Sequence, residues 1–310
     1  MNRQHTSFTG ILAIIIASFL WGTTGTVASY SPDTSPLAIG AFSMGIGGLL
    51  LVINAHKNLL IDAKLMFNQP IVLLFGAACV AIYPLAFYTS MRLTGVAIGT
   101  VVSIATAPFF AAILDRLISK KHITKQWLIS FIMGAVGIAL LTLGRAKNET
   151  LQTSDFSQLI GIILGCIAGL TYAGYSWAAR RLIETGAKSQ SAMSGLFGLA
   201  SLVLLPSLWF TGDNLFASAT NISVALYMAI IPMFLGYVLF GYGLTFIDAS
   251  KATLITLIEP LVATILAVSI LGEQFNAIGW IGALLVTLCL LMQTLKTKKH
   301  QTLNAQNLYS

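Results

Sequence analysis

The stretch LITLIEPLVATIL, residues 254–266, places one carboxylate, Glu259, directly before a proline, Pro260. Only leucine, isoleucine, valine, alanine and threonine surround the pair. An ionised side chain in an apolar helix costs several kcal/mol, about 3 on membrane-insertion scales and more on an isolated helix. A proline removes an N–H and deprives the carbonyl four residues back, here that of Thr256, of its helical partner. The chemistry open to such a pair is narrow. Glu259 can bind a proton or a cationic amine, beside backbone oxygens that are tolerated in a membrane where they line a cavity. The alternative is a protonated carboxyl that hydrogen-bonds a neighbouring helix.

A neutral version of the stretch occurs earlier. Thr100, Ser103 and Thr106 are spaced by three and lead to Ala107-Pro108, as Thr253, Thr256 and Glu259 lead to Pro260. Threonines in apolar helices often bond their own backbone, so the argument rests on two stripes at matching places. Aromatics with polar tips accompany the prolines: Tyr83-Pro84 and Tyr88, Tyr172 and Tyr175, Tyr237 and Tyr242. Those near segment ends suit interfacial belts. The candidate binding residues are Trp21, Tyr83, Tyr88, Thr100, Ser103, Tyr172, Tyr237, Thr256 and Glu259, with Pro108 and Pro260 as helix breaks.

These residues need elements to carry them, and composition says which. Of 310 residues, 56% are hydrophobic and 9% charged, with a mean hydropathy of +0.85. Ordinary soluble domains carry about a quarter charged residues. Runs of about 20 apolar residues cross a bilayer, and ten can be drawn here, roughly 9–30, 37–54, 71–91, 96–115, 126–144, 158–179, 191–210, 222–246, 249–271 and 277–295. No stretch between them is long enough for a soluble domain. The first follows Arg3, but its apolar part exceeds the roughly 7–15 residues of a secretory signal, so it is read as a retained span.

The two halves repeat. GILAIIIASFLWG from Gly10 parallels GIILGCIAGLTYA from Gly161 at an offset of 151, and TAPFFAAIL parallels IEPLVATIL at 152. Five spans per half force the second half to enter the membrane from the opposite side, the inverted-repeat construction of many secondary transporters, whose sites lie near the midplane. The expected fold is all-α and integral to the membrane, ten helices as two inverted five-helix repeats, 8–145 and 157–295, with a polar cytoplasmic tail, 296–310. Gly161, Gly165 and Gly169, four apart, form a small-residue face that permits close helix packing.

The net charge of +7 follows from topology. With the N-terminus cytoplasmic, thirteen basic residues fall on inner loops and the tail, and four, Arg92, Arg145, Lys147 and Lys251, on the outer side. That is the positive-inside bias of a cell (inner) membrane protein with both termini cytoplasmic; no nucleic-acid partner is needed to explain the basic pI. Cys79, Cys166 and Cys289 lie in apolar spans without CxxC spacing, so they are read as packing residues, with no disulfide framework, metal or cofactor. No GxxxxGK[ST] loop is present, and the histidines lie in loops or tails without HExxH, GxSxG or a paired carboxylate. An enzyme is therefore not expected.

With FLWGT in the first span, TAP in the fourth, LIEPLVATILAVSILGE across the ninth and GWIGALLV opening the tenth, the chain resembles the EamA-type ten-helix carriers of the drug/metabolite transporter superfamily over roughly residues 8–295. The resemblance implies a carrier of amino acids, other small metabolites, nucleotide-type compounds or drugs. It implies a pocket from spans one, three, four, six, eight and nine, holding Trp21, Glu259 and the polar stripes. Glu273, in LGE, is read as a cap or gate at a cytoplasmic junction. Ala107 departs from the pattern, since many relatives carry a carboxylate before this proline, so symmetric proton coupling is not implied. The expected activity is export of a small polar metabolite, an amino acid or related amine or zwitterion, by proton or substrate exchange. Uptake of a scavenged vitamin or nucleotide-type compound, or a non-transporting structural or channel subunit, are the alternatives. The expected partners are the substrate and the lipid bilayer, with the chain a monomer or weak homodimer.

Overall fold

The computed structural model describes residues 3–94, 96–144, 155–272, 274 and 276–306. The described residues are helical, connected by short turns. Among the described residues, nine helical spans are long and apolar enough to cross a membrane: Phe8–Ala28, Pro36–Phe67, Pro70–Thr94, Gly99–Leu117, Lys125–Leu143, Asp155–Glu184, Ser189–Thr211, Ala219–Leu244 and Ala249–Leu271. The tenth is the shorter apolar part Ala277–Met292 of the helix Ala277–Gln306. They are called spans 1 to 10. Local chemistry sets several ends: Pro36 occupies the first turn of span 2. Thr124 and Ser218 cap spans 5 and 8, accepting the N–H groups of Trp127 and Asn221. Gly272 ends span 9 with φ of 70°, a left-handed conformation suited to glycine.

The packing is symmetric under exchange of the halves. Span 2 lies along span 7, and span 5 along span 10. Span 3 packs on span 6, and its image, span 8 on span 1, is also present; span 4 on span 6 has its image in span 9 on span 1. Contacts that map onto themselves in this way imply a two-fold axis between the halves, and five crossings per half put it in the membrane plane.

The glycine face of span 6 does what its spacing suggests. A Cβ on Gly161 would meet Thr94 at 2.4 Å, on Gly165 Ser90 at 2.9 Å, and on Gly169 Thr106 Oγ1 at 2.1 Å and the Ser103 carbonyl oxygen at 2.8 Å. Spans 3 and 4 can lie this close only because the side chains are absent. Gly169→Leu is expected to destabilise the fold at or beyond the top of the usual overpacking range of about 1–3 kcal/mol, because a backbone oxygen cannot move aside. Thermal melting and size-exclusion chromatography of the purified variant would show it. An unchanged melt would mean that spans 4 and 6 do not pack this way.

Each span ends on one of two faces, and the structure corrects two sequence-based assignments. Lys121, between spans 4 and 5, pairs with Asp248, between spans 8 and 9, and Ser250 N–H donates to Asp115 Oδ2 at 3.0 Å. The start of span 9 therefore lies on the face that holds Arg116, Lys121 and Arg180. Lys251 belongs to this basic face, which shifts the charge balance to fourteen against three. An odd number of crossings separates it from the outer loops, a parity that its place next to a long apolar run obscured. The second correction concerns the turn between spans 9 and 10, where Asn276 N–H donates to the carbonyl of Gly144 at the end of span 5. That turn is on the far face, not the cytoplasmic junction assigned to Glu273; Glu273 itself, like Arg145 and Lys147, lies outside the described residues.

The two faces are closed by different means. On the basic face Asp62 Oδ2 accepts the Lys188 N–H at 2.9 Å, and Asp115 accepts that of Ser250. First-half spans 2 and 4 thereby cap the starts of second-half spans 7 and 9. Lys121 bridges Glu184 at 2.7 Å and Asp248, while Arg180 binds Glu184 at 2.9 Å and the carbonyls of Leu244 and Thr245. On the far face the ties are neutral: Ser31 pairs with Thr34 at 2.7 Å and donates to Asn221 at 2.9 Å.

Candidate functional site

Span 9 is broken where Glu259 sits. Its helix runs Ala249–Ile255, turns through Thr256 and Leu257, and resumes as Ile258–Leu271. Pro260 withholds the N–H that Thr256 would accept, yet the Thr256 carbonyl is not orphaned: Glu259 N–H takes it at 2.9 Å. This tighter bond turns the chain and delivers the Glu259 side chain inward. Span 4 shows no such break; the helix Val96–Leu117 continues through Pro108, so of the two prolines only Pro260 interrupts its span. Span 8 is irregular too, with a π-helical stretch Ala229–Leu235 around Pro232, a feature frequent at functional sites.

These irregular segments surround a cavity of about 50 Å³ between the halves. Its walls come from Trp21 and Thr24 of span 1, Gly40, Ser43 and Met44 of span 2, Tyr83, Pro84, Phe87 and Tyr88 of span 3, Tyr172 and Tyr175 of span 6, Met233 and Tyr237 of span 8, and Glu259. The residues from spans 1 to 3 lie in their far-face halves. On the basic side Tyr172, Tyr175 and Tyr237, each no more than 3% exposed, form a floor. Tyr172 donates to Thr256 Oγ1 at 2.9 Å, and the hydroxyls of Tyr175 and Tyr237 meet at 3.0 Å.

The aromatic rings form one connected surface. Trp21 lies 4.9 Å from Tyr237, Tyr83 5.6 Å from Tyr172 and 5.9 Å from Tyr175, ring centre to ring centre. Trp21 is fixed by donating its indole N–H to the Pro232 carbonyl at 2.8 Å, a carbonyl exposed by the irregular turn. Gly40 leaves room for Tyr88, whose ring would be 2.4 Å from a Cβ there. Glu259 is the sole charged residue of the lining, and its carboxylate has no hydrogen-bond or ion-pair partner among the described residues. A carboxylate in a cavity lined by aromatic rings, with its acceptor sites free, is suited to binding a proton or a cationic donor.

Six of the residues expected from sequence thus converge: Trp21, Tyr83, Tyr88, Tyr172, Tyr237 and Glu259. Thr256 lies one layer behind, bonded to Tyr172 and donating to the Thr253 carbonyl at 2.8 Å. Thr100 and Ser103 are not in the lining. Thr100 bonds Met91 Sδ, Ser103 donates to its own backbone at Gly99, and Thr106 faces Gly169. The threonine habit of bonding local backbone wins over the stripe pattern in span 4. Span 2 takes the place in the wall expected for span 4. Its contribution, Gly40, Ser43 and Met44, follows i, i+3, i+4 spacing, a signal masked because the segment GAFSMGIGG also reads as a packing surface. Thr24, Pro84, Phe87, Tyr175 and Met233 also line the cavity and lie outside the expected set.

Comparison with known proteins agrees with this architecture. The model of the EamA-like transporter family matches residues 8–143 and 159–295, once in each half. An uncharacterized transporter of Bacillus subtilis, YwfM, is 31% identical over 298 residues, covering 96% of this chain and 97% of its own. An uncharacterized inner membrane transporter of Salmonella typhimurium, YicL, is 24% identical over 94% of this chain and 96% of its own. A crystal structure with 17% identity superposes over 94% of this chain and 98% of its own with a TM-score of 0.76, a likeness of fold. Matched by the same family model in each half and by relatives along nearly its whole length, the chain belongs to the EamA-like transporter family.

Proposed function

We propose that this membrane transporter carries a small amine-bearing metabolite, an amino acid or a related amine or zwitterion, out of the cell in exchange for protons or a second substrate. One observation carries the reading: a single unpartnered carboxylate, Glu259, in an aromatic cavity between the repeats. One carboxylate can hold a proton or an ammonium group, but not both at full strength. Mutually exclusive occupancy is the elementary condition for exchange, and an inward proton gradient then drives the amine outward. The basic face is the cytoplasmic one, on the rule that lysine and arginine are retained inside.

Reconstituted vesicles preloaded with unlabelled amine test this. Labelled amine added outside is expected to accumulate transiently by counterflow, and to be driven across by an imposed pH gradient. Entry without any stimulation from the trans side would identify a channel and overturn the reading.

A further inference from the structure

The cavity's hydrogen-bonding groups are unevenly divided between donors and acceptors, and the imbalance narrows the substrate. The Trp21 indole N–H is bound to the Pro232 carbonyl. The Thr24 hydroxyl donates to the Trp21 carbonyl at 2.7 Å, that of Ser43 to the Gly40 carbonyl at 3.3 Å, and that of Tyr172 to Thr256. The Tyr175–Tyr237 contact uses one more hydroxyl hydrogen. What remains to donate is the other hydroxyl of that pair and those of Tyr83 and Tyr88, all neutral.

The broken span adds few free donors for an anion. Half-helix N-termini in transporters commonly hold a substrate carboxylate. Here, however, the N–H groups of Thr256, Leu257 and Glu259 bond the carbonyls of Ala252, Leu254 and Thr256, and Pro260 has none. Among the described residues, no lysine, arginine or histidine lines the cavity. Against this stands Glu259, with its acceptor capacity unused, beside the faces of Trp21 and the tyrosines.

We infer that the cavity selects organic cations that carry no carboxylate, an amine or guanidine on a flat or apolar body, in preference to amino acids. The inference rests on the amine reading above and sharpens it. An α-carboxylate is one carbon away from its amine, so seating the amine on Glu259 brings a second carboxylate against the first. It would have no cation to pair with and few donors to solvate it, and burying a charge unpaired is strongly unfavourable. The amine alone meets opposite charge and aromatic faces.

Matched pairs decide the matter. Protein in lipid nanodiscs is titrated calorimetrically with phenethylamine against phenylalanine, agmatine against arginine, and phenylalanine methyl ester, which keeps the bulk but removes the negative charge. Each amine is expected to bind at least about tenfold more tightly than its amino acid, with the ester restored to the amine's level. Equal or tighter binding of the amino acids, or an ester no better than the free acid, would overturn the inference while leaving an amine-binding carrier intact. Absence of binding by all five, with stabilisation instead by nucleosides, sugars or organic acids, would overturn the amine reading itself, and this inference with it.

Discussion

Glu259→Gln protein is expected to insert and fold as the native chain does and to lose at least about thirtyfold in amine transport. The substitution keeps size and most hydrogen-bonding capacity but removes both the charge and the proton site. Losing one member of a desolvated charge pair costs about 2 kcal/mol or more, which converts to that factor. Proton-driven exchange should vanish with it, because among the described residues the cavity lining holds no other carboxylate and no histidine or lysine. The assay is amine flux into vesicles with and without a pH gradient, beside a thermal melt to verify folding. A well-folded glutamine variant with native flux and native pH dependence would show that the carboxyl is a structural hydrogen-bonding group.

The second large effect is expected at the basic face. Asp248→Lys replaces the carboxylate shared by Lys121 and Arg180 with a third cation. One exposed pair is worth only about 0.2–1 kcal/mol, but the reversal removes two pairs and adds repulsion, so a loss of about 1–2 kcal/mol is expected. The larger consequence is access. Thr253 is fully buried below the cavity floor, and a cysteine placed there should react with a membrane-impermeant thiol reagent from the basic face far faster in the Asp248→Lys background. If stability and labelling are both unchanged, the ion network does not close this face. Burial alone would lower the pKa of Lys121, but its hydrogen bonds to Asp248 and Glu184 outweigh that and raise it. The contribution is therefore present below the ordinary lysine value of about 10.4 and lost only as pH rises through the raised folded one. Changes around neutrality should leave the closure intact.

The helices were legible because apolar runs and an offset of 151 to 152 residues are strong signals, and the fold is their consequence. Glu259 stood out because a charge deep in an apolar span has few explanations. Trp21, Tyr83, Tyr88, Tyr172 and Tyr237 could be found because rings with polar tips deep in apolar spans have few other uses. What sequence could not separate was which face of a helix a weak polar stripe occupies. Thr100 and Ser103 satisfy their hydroxyls within span 4 or against its neighbour, whereas Gly40, Ser43 and Met44 enter the wall because the far end of span 2 lies against Tyr88. The network of Lys121, Glu184, Arg180 and Asp248 joins two loops and the end of span 6, far apart in sequence, and no local pattern announces it.

Asp62 and Asp115 bear on energetics more than on shape. In the second half the positions 151 to 152 residues on are Asp213, which is exposed, and Leu266 or Ala267, so among the described residues the far face has no equivalent pair of carboxylate caps. Two halves alike in fold are thus expected to differ in the work needed to part them, so that the carrier favours one side of its cycle. A ligand moves such an equilibrium only by binding the second state better than the first; equal affinity for both moves nothing, however tight. Occupancy and turnover are therefore separable properties of this protein. A cation that fills the resting cavity well and gains nothing when the basic face parts should be a competitive inhibitor, and the best-bound compounds in a screen need not be the ones it transports.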